Sequence, residues 1–254
     1  MKILSFGGTD TGKKRTNNED AFLLNDEFCL YAVADGVGGN EGGEVASRIA
    51  VETLAETIPA LLGEQDRTPP SPSGLAHADS SAAALEYAVV LSNKQIREAQ
   101  NRNVELYGMG TTLTALLVGK GRAVIAHAGD SRAYLYRAGS LMQLTNDHSI
   151  IAEQVLAGLI TPEQARMSPY RHVITRALGM EDSLIADIAV ETVEGGDVFL
   201  LCTDGLTEMV EDKKIGAILE GSTPGDAVRL LLASANEQGG VDNITAVVVK
   251  IVEI

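Results

Sequence analysis

Apolar residues in this chain come in short blocks, and block after block stops at an aspartate. Phe28-Cys29-Leu30-Tyr31-Ala32-Val33-Ala34 runs into Asp35-Gly36, and Val198-Phe199-Leu200-Leu201-Cys202-Thr203 runs into Asp204-Gly205. Ala123-Val124-Ile125-Ala126-His127-Ala128-Gly129 reaches Asp130, and the turn Gly239-Gly240-Val241 sets Asp242 just before Ile244–Val249. Short apolar runs bounded by turn residues predict strands, here over 2–8, 20–25, 28–34, 111–119, 122–128, 132–137, 140–144, 197–203 and 244–252. Elsewhere the period lengthens. Val45, Ile49, Leu54, Ile58 and Leu61 form one stripe of a helix ending near Gly63, and Leu85, Ala88, Val89, Ser92, Ile96 and Ala99 form another over 82–102. Shorter helices are expected around Ile150–Ala157, from Thr161-Pro162-Glu163-Gln164 (a Thr cap before a first-turn proline), near 212–220 and over 224–237.

The order of these elements does not alternate strand with helix. It predicts an α+β fold of two antiparallel sheets flanked by helices, in one domain over 1–254. Residues 63–81, with Thr68-Pro69-Pro70-Ser71-Pro72-Ser73-Gly74, read as a flexible insert between the first two helices. Residues 147–192 read as a mixed segment containing two short helices.

Composition narrows the function classes. At 254 residues and 45% hydrophobic the chain can bury a substantial core, and a net charge of −15 argues against nucleic acid or anionic lipid as partner. No run approaches the ~18 apolar residues of a membrane span. Met1-Lys2-Ile3-Leu4-Ser5-Phe6-Gly7-Gly8 is broken too early to be a secretion signal. Cys29 and Cys202 sit in apolar blocks and are expected to be buried free thiols of a reducing compartment, hence a cytoplasmic protein.

Carboxylates at the lip of buried strands are costly to desolvate and repel one another, and a cation holds such a set together most cheaply. The pattern therefore points to a polynuclear site of oxygen ligands, suited to Mg²⁺ or Mn²⁺. The glycine after Asp35 is expected to let a backbone carbonyl approach a metal.

Five pieces in order, Arg15-Thr16-Asn17-Asn18-Glu19-Asp20, Ala34-Asp35-Gly36-Val37-Gly38-Gly39, Ala128-Gly129-Asp130-Ser131-Arg132, Thr203-Asp204-Gly205 and Val241-Asp242-Asn243-Ile244-Thr245, resemble the metal-dependent serine/threonine phosphatases of the protein phosphatase 2C type, bacterial branch. The likeness covers nearly the whole chain. It implies a four-layer α-β-β-α sandwich with a small flap subdomain at about 150–178. It further implies hydrolysis of phosphoserine and phosphothreonine in phosphoproteins by a hydroxide bridging two Mn²⁺ or Mg²⁺ ions, with a third ion nearby. By the same resemblance Asp35, the Gly36 carbonyl, Asp204 and Asp242 hold the pair, with Asp20 in support. Asp130 and Asp204 hold the third ion, Glu19 and Glu208 are outer-shell candidates, and Arg15 clamps the substrate phosphate. Implied partners are phosphorylated proteins, including a serine/threonine kinase or its substrates, met by a monomer in signal transduction.

One departure stands out. Relatives often carry a histidine in the Asp-Gly loop, where this chain has Val37 and Asn40. A water held by the metal, or another group such as His148, is then expected to protonate the leaving oxygen; His148 also reads as a structural residue at a helix start, and His127 as packed under the sheet lip. A pseudophosphatase that binds phosphoproteins without turnover is the rival reading, argued from the missing histidines alone.

Overall fold

The structure is a computed structural model that describes residues 1–38, 42–63 and 80–254. In chain order its elements are β1 (Lys2–Asp10), β2 (Asp20–Asn25), β3 (Leu30–Val37), α1 (Gly42–Gly63), α2 (Ser80–Arg102), β4 (Gly110–Thr111), β5 (Leu113–Gly119), β6 (Arg122–Ala128), β7 (Arg132–Arg137) and β8 (Ser140–Gln143). They continue as α3 (Ile150–Leu156), α4 (Pro162–Arg166), β9 (Asp187–Thr192), β10 (Val198–Cys202), α5 (Asp204–Thr207), α6 (Asp212–Leu219), α7 (Pro224–Glu237) and β11 (Ile244–Glu253). The insert predicted at 63–81 falls almost wholly outside the described residues.

Two antiparallel sheets run β1-β11-β10-β7-β8 and β2-β3-β5-β6-β9, with β4 paired to β3. Strand alternation sorts the core into three apolar layers. Leu30, Ala32 and Ala34 of β3 pack with α1 and α2 through Leu54, Leu85 and Val89. Leu200, Cys202, Ala246 and Val248 pack with α6 and α7 through Ile215 and Leu231. Between the sheets lie Tyr31, Val33, Leu116, Ile125, Leu135, Phe199, Leu201, Val247 and Val249. The layers are therefore helix, sheet, sheet, helix.

Three expectations need correction. Residues 187–192 form β9 on β6, Ile125 opposite Ala189, a strand not singled out within the mixed segment; their alternation is weak because the edge strand is half-exposed. The strand expected over 111–119 breaks at Thr112, whose N–H turns to the Asp35 carbonyl (2.9 Å). Cys202 is buried, but Cys29 is only half-buried, in the turn before β3 at φ +51°. Both cysteines are free thiols, as expected. The caps came out as their chemistry dictates: Ser149 caps α3, and Thr161 with Gln164 forms a capping box around Pro162.

Candidate metal centre and active site

The two-residue period that sends Tyr31 and Val33 between the sheets sends Asp35 there as well, at the open end of the layer. Asp20 is the register partner of Asp35 across β2 and β3 and points the same way. On the opposite sheet, the parity of Phe199 and Leu201 carries Thr203 inward, and that of Val247 and Val249 carries Thr245 inward. Both hydroxyls donate to Asp20 Oδ2, at 2.9 and 2.6 Å, so one carboxylate joins the two sheets. Asp204 opens α5 directly after Thr203, Asp242 precedes β11, and Asp130 occupies the turn between β6 and β7.

Backbone contacts hold this lip tightly. Asp35 N–H donates to Thr112 Oγ1 (2.9 Å), while the Asp35 carbonyl accepts from Thr112 N–H and Thr111 Oγ1 (each 2.9 Å). The glycines of the Asp-Gly pairs serve packing more than was foreseen. A Cβ on Gly36 would overlap the Gly43 and Glu19 carbonyls, and one on Gly205 would overlap the Asn243 carbonyl, so no side chain fits. Asn243 knits the N-terminal loop to Asp242. Its Oδ1 accepts from Glu19 N–H (2.8 Å), and its Nδ2 donates to the Thr11 and Asn17 carbonyls (3.0 and 2.9 Å).

The electrostatics are those of an uncompensated set. Burial, then Asp20, Asp204, Asp130 and Asp242, raise the Asp35 carboxyl well above the ordinary range. Burial pushes Asp20 up to about 7 against the pull of its two threonines. Asp130 is raised to about 8 by burial and then Asp204, and Asp204 to about 6 by burial and then Glu208 and Asp242. Among the described residues, Asp20 Oδ1 and Asp204 Oδ1 are buried with no hydrogen-bond partner. Oxygen-only donors, mutual repulsion and orphaned oxygens aimed into one lip fit hard divalent cations.

Comparison with known proteins decides the family. The model of protein phosphatase 2C matches residues 8–238. The chain belongs to the protein phosphatase 2C family. It is 36% identical to the serine/threonine phosphatase stp of Listeria monocytogenes serotype 4b over 250 residues, covering 95% of this chain and 93% of that one. It is 33% identical to the protein phosphatase PhpP of Streptococcus pneumoniae strain D39 over 256 residues, covering 96% of each. Among solved structures, the Mycobacterium tuberculosis serine/threonine phosphatase PstP/Ppp superposes with a TM-score of 0.87 at 35% identity over 99% of both chains. The catalytic domain of PstP in complex with two manganese ions gives 0.84 at 34% identity, again over 99% of both. Metal-dependent dephosphorylation is the reaction of this family, and the two sheets flanked by helices are its fold.

The remaining site residues divide into two groups on this phosphatase 2C framework. Arg15 donates through Nη2 to Asp242 Oδ2 (2.8 Å) and is half-exposed. The Glu19 carbonyl accepts from Gly36 N–H (3.1 Å) and from Ser47 Oγ (2.6 Å), which ties β2 to α1. Glu208 lies one turn beyond Asp204 and pairs with His172, in the connection between α4 and β9 (Nδ1 to Oε1, 2.8 Å). The two internal histidines are structural. His127 is buried between Thr114 Oγ1 (2.9 Å) and the Asn146 carbonyl (3.0 Å), and burial lowers it to about 4. His148 accepts Gly129 N–H at Nδ1 (3.1 Å), and its Nε2 lies against both Asp187 Oδ2 (3.1 Å) and Arg176 Nη1 (3.0 Å); burial lowers it too. The ring nitrogens of both imidazoles are taken up by these protein partners. Val37 is exposed and carries none, and Asn40 lies outside the described residues.

Sequence reading passed over Thr203, Thr245, Thr112 and Asn243 as site residues. The first two could have been found by extending the inward parity of their strands by one step. His172 carried no signal of its own.

Proposed function

We propose that this chain removes phosphate from phosphoserine and phosphothreonine in phosphoproteins, with Asp35, the Gly36 carbonyl, Asp204 and Asp242 holding two Mn²⁺ or Mg²⁺ ions. The observation that carries the reading is the inward-facing set of aspartates with buried, unpartnered oxygens. Asp20, fixed by Thr203 and Thr245, holds the first sheet's side of the centre in register with the second. Asp130 and Asp204 provide for a third ion. When bound, such ions activate water as the nucleophile and offset charge on the phosphoryl oxygens.

The protein's own contribution is orientation. Arg15 presents the rest of its guanidinium fork to the phosphoryl oxygens while one nitrogen stays on Asp242. The Thr111–Thr112 clamp keeps the Asp35 backbone from swinging out. With valine at position 37, the leaving oxygen takes its proton from water rather than from an imidazole. The residues 1–254 act as a single catalytic domain, with 150–178 as its flap. The protein works as a cytoplasmic monomer on a serine/threonine kinase or that kinase's substrates. No helix among the described residues is long and apolar enough to cross a membrane.

Hydrolysis of a phosphothreonine peptide by the purified chain, with Mn²⁺ and with chelator, tests the reading. Turnover that appears only with the metal and disappears in Asp35→Ala supports it. Turnover that survives chelator, or Asp204→Ala, rejects it; metal binding without turnover on any phosphopeptide returns the pseudophosphatase.

A further inference from the structure

Asp130 stands in the turn between β6 and β7, and the groups that hold that turn lie outside the cluster of carboxylates. Gly129 N–H donates to His148 Nδ1 (3.1 Å), and the Gly129 carbonyl accepts from His148 N–H (2.7 Å). On the other side of Asp130 the Ser131 carbonyl accepts from Thr114 Oγ1 (3.1 Å), and Ser131 Oγ meets Thr112 Oγ1 (2.7 Å). His148 therefore reaches the turn with its backbone and its ring together. The far edge of that ring belongs to another pair. Its Nε2 meets Asp187 Oδ2 (3.1 Å) and Arg176 Nη1 (3.0 Å), and Arg176 Nη1 donates to Asp187 Oδ1 (2.7 Å). Arg176 stands at the C-terminal root of the segment proposed as the flap. That root is stitched to the lip twice. Thr175 N–H donates to the His148 carbonyl (2.8 Å), and Leu178 and Thr111 exchange backbone bonds of 2.8 and 3.0 Å.

With side chains 34% and 50% exposed, Arg176 and Asp187 form an ion pair that adds little to stability in water. What the pair can do is orient the imidazole, because the partner of one ring nitrogen sets what the other nitrogen offers. We propose that Asp187 and Arg176 are positioning residues which, acting through His148, aim Asp130 at the lip and make its direction depend on the seating of the flap's C-terminal root. The inference rests on reading Asp130 as a ligand of the bound ions. When the root lifts, Arg176 leaves Asp187, the imidazole is free to turn, and Gly129 N–H loses its acceptor. Asp130 then samples directions away from the lip. Asp35, Asp204 and Asp242 stand on other elements and keep theirs. Seating of the root thus completes the centre from the Asp130 side, with no contact between Arg176 or Asp187 and the reacting phosphate.

The Gly129 amide reads the turn directly, by NMR hydrogen exchange on the full chain in chelator. Asp187→Ala and Arg176→Ala should each speed its exchange by about tenfold. Asp187→Asn and Arg176→Lys, which keep most of the shape, should give smaller shifts in the same direction. Asp197→Ala breaks an ion pair at the far end of β10 and should leave the Gly129 amide within about twofold of wild type. Phosphopeptide hydrolysis with saturating Mn²⁺ gives the second reading. Asp187→Ala should lower kcat about tenfold in the wild-type background and less than about twofold in Asp130→Asn, since both act through one carboxylate. Unchanged Gly129 exchange in both alanine variants overturns the proposal. So do kcat losses that multiply in the double variant, which would mark Asp187 as merely stabilising. If Asp130→Asn alone leaves Mn²⁺-dependent turnover unchanged, the reading of Asp130 as a ligand falls, while Gly129 exchange still decides the positioning.

Discussion

Strand β10 has an aspartate just beyond each end, and their surroundings are opposite. Asp197, before Val198, is 1% exposed and fully matched. Arg137 reaches it with two parallel bonds of 2.7 Å, and Glu194 N–H adds a third of 2.8 Å. Asp204, beyond Cys202, has a buried oxygen with no partner and acidic neighbours in Asp35, Glu208 and Asp242. The same strand therefore shows both ways a fold can keep a carboxylate out of water. Where the chain supplies the cation, the carboxylate belongs to the architecture. Where it does not, the carboxylate is left open to a cation from outside, which is the role proposed for Asp204.

The sharpest way to break this contrast is to neutralise each end in turn. Asp204→Asn is expected to lower Mn²⁺-dependent phosphopeptide hydrolysis by about 10²–10³-fold or more while raising the melting temperature of the metal-free protein, since it removes one of several repelling charges. A metal-free variant that melts lower than wild type would show the cluster to be structural after all. At the other end, Asp197→Ala should cost about 2 kcal/mol in urea unfolding because Arg137 loses two of its bonds and keeps only Glu194 and the Thr192 carbonyl, and the Mn²⁺ isotherm of the folded protein should not change.

The comparison also carries a sign in pH. Asp20, Asp130 and Asp204, at about 7, 8 and 6, keep protons in the folded, metal-free state that an unfolded chain has already released. That stability is fully present below an ordinary aspartate's range, near 3.8, and is lost as pH rises through about 6 to 8. His127, held near 4 by burial, acts in the opposite sense only below about 6.5. Thermal melts in chelator should therefore fall by on the order of 5 °C between pH 6.5 and 8.5, and saturating Mn²⁺ should erase or invert the fall. A flat profile in chelator would contradict the repulsion.

Smaller effects sharpen the detail. Arg15→Lys keeps the charge and loses the fork, so KM for a phosphopeptide should rise about tenfold with kcat less affected. Thr245→Val removes one of two donors to Asp20 and should cost about 1 kcal/mol, measured by urea unfolding with and without Mn²⁺.

Much of this was legible in the chain before any coordinates, for a definite reason. An apolar block ended by an aspartate is a local signal, and it marked Asp35, Asp130 and Asp204 while the five ordered pieces marked the family. Asp20 was legible only through the resemblance, because its meaning is a register: it matters by standing opposite Asp35. Asn243 and Thr112 were not legible at all. Each acts by bonding backbone more than 70 residues away (Glu19 N–H in one case, Asp35 in the other), and no local composition records such a pairing. The half-exposed edge strand β9 failed in the other direction, since a strand with little to bury leaves little periodicity. Cys29 was misjudged because its apolar neighbours belong to β3 and the cysteine itself to the turn.

The position of β11 has a consequence for biosynthesis. It is the last strand in chain order, yet it lies inside its sheet between β1 and β10, and it brings Asp242, Asn243 and Thr245 to the lip. While the ribosome is still extending the chain short of these residues, the early strands can pair, but β1 and β10, the first and third strands of the order β1-β11-β10-β7, have a gap between them. A nascent chain that stops there carries Asp20 and Asp35 without Asp242 and Thr245 on the opposing wall. The lip is therefore complete only once this strand stands between its two neighbours.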